Sequence, residues 1–279
     1  MPLEVLLAVL FGALLHAGWN ALVRAAPEKL PDTVLIVCGA ALLGAVGLPF
    51  LEPPASASWP WLAASVLLHV GYFAAVASAY RHGELGFAYP LMRGTAPVLV
   101  TLAAAAWLAE WPSATGAGGI ALVSCGILLL AHDGWRRGRL HRHTVRFALA
   151  NAGVIAAYTL VDGIGARLSG QPFAYTAWLF VLTAPVLFAA ALPLHGSRLW
   201  SGWRRWPRGL LGGACTLAAY ALALWAMTRA PLALVAALRE TSAVFALLLG
   251  TLWLREPLSR SRVVAVGVVA AGAMAIRLA

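Results

Sequence analysis

Ten apolar segments, each close to the length of one bilayer crossing, follow one another along the chain of 279 residues. A helix needs roughly 17 to 25 apolar residues to cross the hydrocarbon core of a membrane. The segments are 3–23, 33–51, 59–79, 85–108, 115–131, 145–166, 173–194, 210–227, 232–254 and 262–278. Only 11% of the residues are charged, against about a quarter in soluble domains, which excludes a soluble fold. The sequence therefore predicts an all-α integral membrane protein with ten transmembrane helices in contact with lipid.

The connections between these segments are short, and the longest polar stretch, residues 132–144, is predicted to be a basic connecting loop. Arginines in such loops orient a chain in the membrane, so we expect no nucleic-acid partner despite the net charge of +10. The histidines of this loop match no standard metal spacing, and the three cysteines are isolated, so no metal site is predicted. Because no nucleotide-binding loop or catalytic motif is present, we expect no cofactor and no enzyme.

An internal repeat divides the chain into two halves. Four pairs of polar residues recur at fixed spacing. The pairs are Arg93 with Arg239 and Glu110 with Glu256, 146 positions apart (239 − 93 = 146), and His16 with Tyr158 and Asn20 with Asp162, 142 positions apart (162 − 20 = 142). The halves are residues 1–131 and 145–279. Because each holds five helices, an odd number, the second half must enter the membrane in the opposite direction, which predicts two inverted five-helix repeats.

The basic residues in the loops support this inversion and set an orientation. In the first half they occupy the first and third loops, at Arg24, Lys29 and Arg81. In the second half they occupy the equivalents of the second and fourth loops. These are Arg198, Arg204, Arg205, Arg208, Arg255, Arg260 and Arg262. Since basic loops face the cytoplasm, we expect both termini on the outer side of a bacterial-type inner membrane.

Four charged residues fall well inside predicted helices: Arg93, Asp162, Arg239 and Glu240. A charge at that depth costs at least about 2.5 to 3.5 kcal/mol and marks a functional site by default. The two arginines, at equivalent points of the halves, are predicted to flank a central cavity and to bind a carboxylate or phosphate-like group. Asp162 and Glu240 would balance charge or hold a substrate ammonium. The alternative is that the arginines bridge helices structurally.

Further polar and aromatic residues are candidates for the lining of the same cavity. They are His16, Asn20, Tyr158, His69, Tyr72, Tyr220 and Trp225. His16 is also a candidate proton carrier, since histidine is the side chain that ionises nearest neutrality. The alternative for each of these residues is simple packing within the helix bundle.

Two prolines, Pro90 and Pro97, bracket Arg93 and predict a kink in the fourth helix, whereas the ninth helix lacks such prolines. Glu110 and Glu256 end their helices, and for both we favour a structural role in loop capping or cytoplasmic salt bridges.

These residues resemble the EamA-type transporters of the drug/metabolite transporter superfamily. The resemblance rests on "LLHAGWNALVR" in the first helix and on the repeated endings "WLAEWPS" and "WLREPLS". It implies a secondary transporter, often an exporter of amino acids or related metabolites. It also implies a cavity lined by the first, third, fourth, sixth, eighth and ninth helices. It further implies cytoplasmic termini, which disagrees with the loop charges.

We therefore expect a secondary-active exporter of small zwitterionic or anionic, amino-acid-like metabolites that works by alternating access. The alternatives are a polyspecific drug exporter and a carrier of organic anions or phosphonates. From other classes, an intramembrane enzyme and a non-transporting scaffold remain open. The oligomeric state is also left open.

Overall fold

Helices make up almost all of the described chain. The computed structural model describes residues 1–81, 85–137, 142–254 and 259–279, with side chains for 1–72, 90–130, 145–193, 196, 198–199, 204–249, 251 and 259–279. The α-helices are α1 Leu3–Arg24, α2 Lys29–Gly47, α3 Trp59–Arg81, α4 Leu85–Leu108, α5 Ala114–Arg137, α6 Arg142–Ser169, α7 Pro172–Ser201, α8 Trp206–Met227, α9 Leu232–Arg239, α10 Ser242–Leu254 and α11 Arg260–Leu278. Three 3₁₀ turns, Leu48–Phe50, Ser56–Ser58 and Gly202–Arg205, connect some of them.

Within the described residues, eight helices are long and apolar enough to cross a membrane, and Ala114–Leu130 is a shorter apolar helix. The prediction of an all-α, multi-pass membrane protein is thus confirmed. The ninth predicted segment differs from the others, because it is divided into α9 and α10. The connection between the two halves, predicted as a basic loop over residues 132–144, is shorter than predicted. Helices α5 and α6 extend into it from both sides, and residues 138–141 lie outside the described chain.

The two ends of the helix bundle are defined by contacts between helix ends. At one end, which we call the terminal end, the amino group of Met1 donates to the carbonyl oxygen of Arg277 at 3.3 Å. At the opposite end, the basic end, Arg205 donates to Asp32 at 2.9 Å, between the start of α8 and the start of α2. Both chain termini therefore lie at the same end of the bundle.

Small residues let the helices approach closely. A methyl group placed on Gly39 of α2 would lie 2.3 Å from the carbonyl oxygen of Gly209 in α8. Between α5 and α11, a methyl group on Gly119 would lie 2.9 Å from the carbonyl oxygen of Gly272. Such contacts between small residues are the usual way in which membrane helices associate, since lipid provides little hydrophobic drive.

A partly buried network at the terminal end joins the ends of four helices. Arg167, near the end of α6, pairs with Glu110, just beyond α4. The same guanidinium donates to the carbonyl oxygens of Met227 at 2.7 Å and Ala230 at 3.2 Å, and Glu110 accepts from the amide of Leu232 at 3.0 Å. Glu110 therefore forms a salt bridge and accepts a hydrogen bond from the start of α9, which agrees with a structural role. Glu256 lies outside the described residues.

Replacing Glu110 with Gln is expected to lower the melting temperature of the detergent-purified protein. The change removes the charge that faces Arg167, and a hydrogen bond to a charged group contributes about 1.5 to 3 kcal/mol. The matched control is Glu4→Gln. Glu4 and Arg229 form an exposed pair, 3.9 Å apart, at the same end, and exposed pairs contribute little. Equal melting temperatures for the two variants would contradict the structural role of Glu110.

Candidate functional site

A cavity lies within the bundle among α1, α3, α6, α7, α8 and α9. Its empty space is about 630 Å³, including the part that is continuous with solvent. Aromatic and polar side chains form most of its wall, and small residues form the rest. The aromatic and polar lining residues are His16, Trp19, His69, Tyr72, Tyr158, Phe180, Thr216, Tyr220 and Arg239. Four of the helices that line it are among the six that the sequence predicts, and a fifth, α9, is the first part of the ninth predicted segment.

Arg239 is the cationic member of this lining. It is the last residue of α9 and is partly buried. Its guanidinium carbon lies 5.1 Å from the centroid of the Tyr220 ring, which is a cation–π distance. Among the residues that the structure describes, Arg239 makes no ion pair and no hydrogen bond through its side chain. A guanidinium in this setting can donate two parallel hydrogen bonds to an anionic group.

Arg93 occupies a different environment, although the repeat pairs it with Arg239. Its Nε lies 2.7 Å from a carboxylate oxygen of Glu240, and its Nη2 donates to the Ser242 hydroxyl at 3.4 Å. The side chains of Arg93 and Glu240 are only 4% and 6% exposed. Both line a second, smaller cavity, and Tyr158 and Arg239 separate it from the first. Arg93 therefore lies behind the main cavity, neutralised by a carboxylate.

The difference between the two arginines follows from one position of the repeat. At the spacing of 146 residues, Glu240 corresponds to Gly94 (240 − 94 = 146). The second half thus brings a carboxylate next to its arginine, where the first half has only a glycine. Glu240 pairs with the arginine of the other half, and Arg239 has no ion pair within the described part of the chain.

The ninth segment breaks at this same point. The amides of Glu240 and Thr241 donate to carbonyl oxygens three residues back, at 3.1 Å and 3.0 Å, so a tight 3₁₀-like turn joins α9 to α10. By contrast, α4 continues as one helix through Pro90 and Pro97. The sequence predicts the distortion in the fourth helix, but the break lies in the ninth, without a proline. Such interruptions mark hinges and binding sites in membrane carriers.

Asp162 lies directly behind the cavity wall and is fully buried. The hydroxyl of Tyr175 donates to one of its oxygens at 3.2 Å, and the hydroxyl of Tyr220 donates to the other through a short hydrogen bond. The Nδ1 atom of His69 is 4.0 Å from the same carboxylate. Tyr220 and His69 both line the cavity, so the Asp162 carboxylate lies one side chain away from it.

Comparison with known proteins identifies the second half of the chain. Residues 144–278 match the model of the EamA-like transporter family. This half is an EamA domain. No curated protein gives a significant match to the chain. A solved structure described as "Crystal structure of protein" is 20% identical, with a TM-score of 0.77, and the alignment covers 99% of this chain and 96% of that one. At this identity the likeness establishes a shared fold.

The EamA domain supplies one side of the cavity, and the first half of the chain supplies the other. Tyr158, Phe180, Thr216, Tyr220 and Arg239 come from the EamA domain. The first half contributes α1 and α3 residues. These are His16, Trp19, His69 and Tyr72, with small residues of α1.

Five predicted site residues do not line the main cavity: Arg93 and Glu240 line the smaller cavity, and three others line neither. Asn20 donates to the carbonyl oxygen of His16 in its own helix, at 2.8 Å. Trp225 lies under the guanidinium of Arg229, 4.7 Å from ring to carbon, towards the terminal end of α8. Asp162 is behind the wall. Each lies on the expected helix, but helical spacing does not specify whether a polar side chain reaches the cavity or bonds locally.

Three aromatic or polar lining residues and one hydrogen-bond partner were not predicted from the sequence. Trp19, Phe180 and Thr216 line the cavity, and Tyr175 bonds Asp162. Trp19 lies three residues after His16, so helical spacing offered a signal for it. Aromatic residues are frequent throughout this chain, and nothing in the sequence distinguishes Phe180 or Tyr175 from packing residues.

Proposed function

We propose that this protein is a secondary-active transporter that exports small zwitterionic or anionic, amino-acid-like metabolites by alternating access. The observation that carries the proposal is the partly buried guanidinium of Arg239 in an aromatic cavity at a helix break. The membership of residues 144–278 in a transporter family supports transport as the activity.

Arg239 binds the substrate carboxylate in this proposal. A guanidinium fits a carboxylate through two parallel hydrogen bonds, which fixes orientation as well as charge. Tyr158 and Tyr220, which line the cavity next to Arg239, suit an ammonium group, because aromatic faces attract cations and the Asp162 carboxylate lies behind Tyr220. A zwitterion would use Arg239 and these rings at once.

Two inverted five-helix repeats, together spanning the membrane ten times, provide the moving parts. The contacts that place both termini at one end agree with an even number of crossings. The pair of Arg93 and Glu240 joins the two halves beside the cavity, and the tight turn at Glu240 provides a hinge. Rocking one half against the other would then expose the cavity to each side in turn.

The basic end of the bundle faces the cytoplasm of a bacterial-type cell in this proposal, and the termini face outward. Arg198, Arg204, Arg205 and Arg208 lie at that end, so the positive-inside rule sets this orientation. A C-terminal reporter that works only in the cytoplasm is expected to be inactive, whereas one that works only outside it is expected to be active. The reverse pattern would contradict the orientation and agree with the family resemblance.

The substrate class is tested by thermal stabilisation of the purified protein with four panels: amino acids, organic acids, phosphonates and cationic drugs. We expect amino acids to raise the melting temperature. A ligand that binds only the folded protein stabilises it by RT ln(1 + [L]/Kd), which is about 2.7 kcal/mol when the ligand concentration is a hundred times Kd. Stabilisation by phosphonates alone would indicate an anion carrier. Stabilisation by cationic drugs alone would overturn the assignment of Arg239 and indicate a drug exporter.

A further inference from the structure

We propose that His69 and Asp162 form a single-proton site that the ammonium group of the substrate empties, so that the protein exchanges a proton for its substrate. This inference rests on the proposed function and names its coupling ion. It also assigns the proton-carrying role to His69, whereas the sequence suggests His16.

The hydrogen bonds of His69 fix the nitrogen that is available to a proton. Nδ1 lies 3.0 Å from the carbonyl oxygen of Ser65 and 3.1 Å from its hydroxyl. A carbonyl only accepts, so Nδ1 carries the hydrogen and Nε2 keeps the lone pair in the neutral ring. A proton added to Nε2 leaves these bonds intact. The resulting cation lies 4.0 Å from the fully buried carboxylate of Asp162, which stabilises it.

His16 has the opposite arrangement, although it lines the same cavity. The indole nitrogen of Trp19 donates to its Nδ1 at 3.2 Å. Since an indole can only donate, Nδ1 of His16 must carry a lone pair, and a second proton on that ring would break this bond. No carboxylate pairs with His16 in the described part of the chain. The geometry therefore favours a neutral His16.

The other ionisable groups around His69 are accounted for by helix. Tyr158 of α6 and Tyr220 of α8 contact its ring at 4.6 Å and 5.6 Å between centroids. Tyr175 of α7 bonds Asp162, Tyr72 shares α3, and His16 of α1 and Arg239 of α9 line the same cavity. Arg239 is the one cation in this group, and a bound carboxylate would neutralise it.

Exchange follows from the charge balance at Asp162. In the empty cavity, a proton on His69 compensates the carboxylate. A substrate ammonium against Tyr158 and Tyr220 supplies the same compensation from the cavity side. Two positive charges there would repel each other, so substrate and proton exclude one another. By linkage, substrate binding releases one proton to water, and a lower pH weakens substrate binding. An inward proton gradient then drives export.

The test measures binding of the stabilising amino acid between pH 5.5 and 8, together with proton release in weak buffer. Wild type is expected to bind about tenfold more weakly at the acidic end and to release up to one proton per substrate. His69→Gln is expected to bind with a pH dependence below about twofold and to release none. The matched variant His16→Gln is expected to keep the pH dependence, whatever its affinity.

Three other results are distinguishable. A pH dependence lost in His16→Gln and kept in His69→Gln would overturn the assignment of the proton to His69. If wild type binds the amino acid with no dependence on pH, the proton site is refuted, but the proposal that the protein is a transporter is not affected. If no amino acid binds to wild type at any pH, the proposed substrate class itself fails.

Discussion

Arg239→Gln is expected to weaken binding of the stabilising amino acid by about 30- to 4,000-fold. Losing one partner of a buried, hydrogen-bonded charge pair costs about 2 to 5 kcal/mol, and each 1.4 kcal/mol is a factor of ten. Gln keeps a polar group of similar reach in the cavity. The melting temperature without ligand should change little, because the Arg239 side chain makes no ion pair and no hydrogen bond within the described residues, and only a cation–π contact with Tyr220 would be lost.

Two comparisons sharpen this result. Arg239→Lys keeps the charge but loses the bidentate geometry, so its affinity should lie between those of wild type and Arg239→Gln. An amine that lacks the carboxylate should bind wild type and Arg239→Gln almost equally. If the amino acid itself binds Arg239→Gln as well as wild type, the carboxylate is held elsewhere, and the role of Arg239 in this account is wrong.

Arg93→Met should show the opposite pattern, with a loss of folded protein. The substitution leaves Glu240 buried and without its cation, and breaking a buried ion pair in this way costs about 3 to 5 kcal/mol. The double variant Arg93→Met with Glu240→Leu removes both charges and should recover much of that loss, because apolar replacement of a buried pair is often neutral.

Membrane expression and the melting temperature of the two variants measure this difference. Recovery in the double variant identifies the pair as a unit that holds the two halves together. A different outcome would support the role in substrate binding that the sequence suggests for Arg93. If Arg93→Met folds as stably as wild type but loses amino-acid binding, then Arg93 contacts the substrate directly.

Much of the architecture could be predicted, because apolar length and intramembrane charge are local properties of a sequence. Each of the ten apolar segments is helical. Arg93, Asp162, Arg239 and Glu240 all lie beside or within the cavity region. The family resemblance drawn from short motifs is also confirmed for residues 144–278.

The separate roles of the two arginines could not be predicted, because they depend on contacts across the repeat. The alignment makes Arg93 and Arg239 equivalent. Only the fold places Glu240 against Arg93 and leaves Arg239 in the aromatic cavity. The break in the ninth segment could not be predicted either, since no proline or glycine marks it in the sequence.

The surroundings of Asp162 could not be predicted either. Its depth in the sixth segment makes it a candidate site residue, but the sequence does not indicate that Tyr175 and Tyr220 bond its carboxylate. The donor and acceptor roles of His16 and His69 depend on the neighbours Trp19 and Ser65. Spacing along a helix does not fix which nitrogen is engaged.

Counterflow in liposomes tests transport itself, because it requires only the purified protein and its solute. Vesicles loaded with the unlabelled amino acid that stabilises wild type are diluted into a trace of the labelled form. We expect transient accumulation of label by wild type and little or none by Arg239→Gln. Accumulation no greater than in protein-free vesicles, by a protein that binds the amino acid, would contradict transport and indicate a sensor or scaffold.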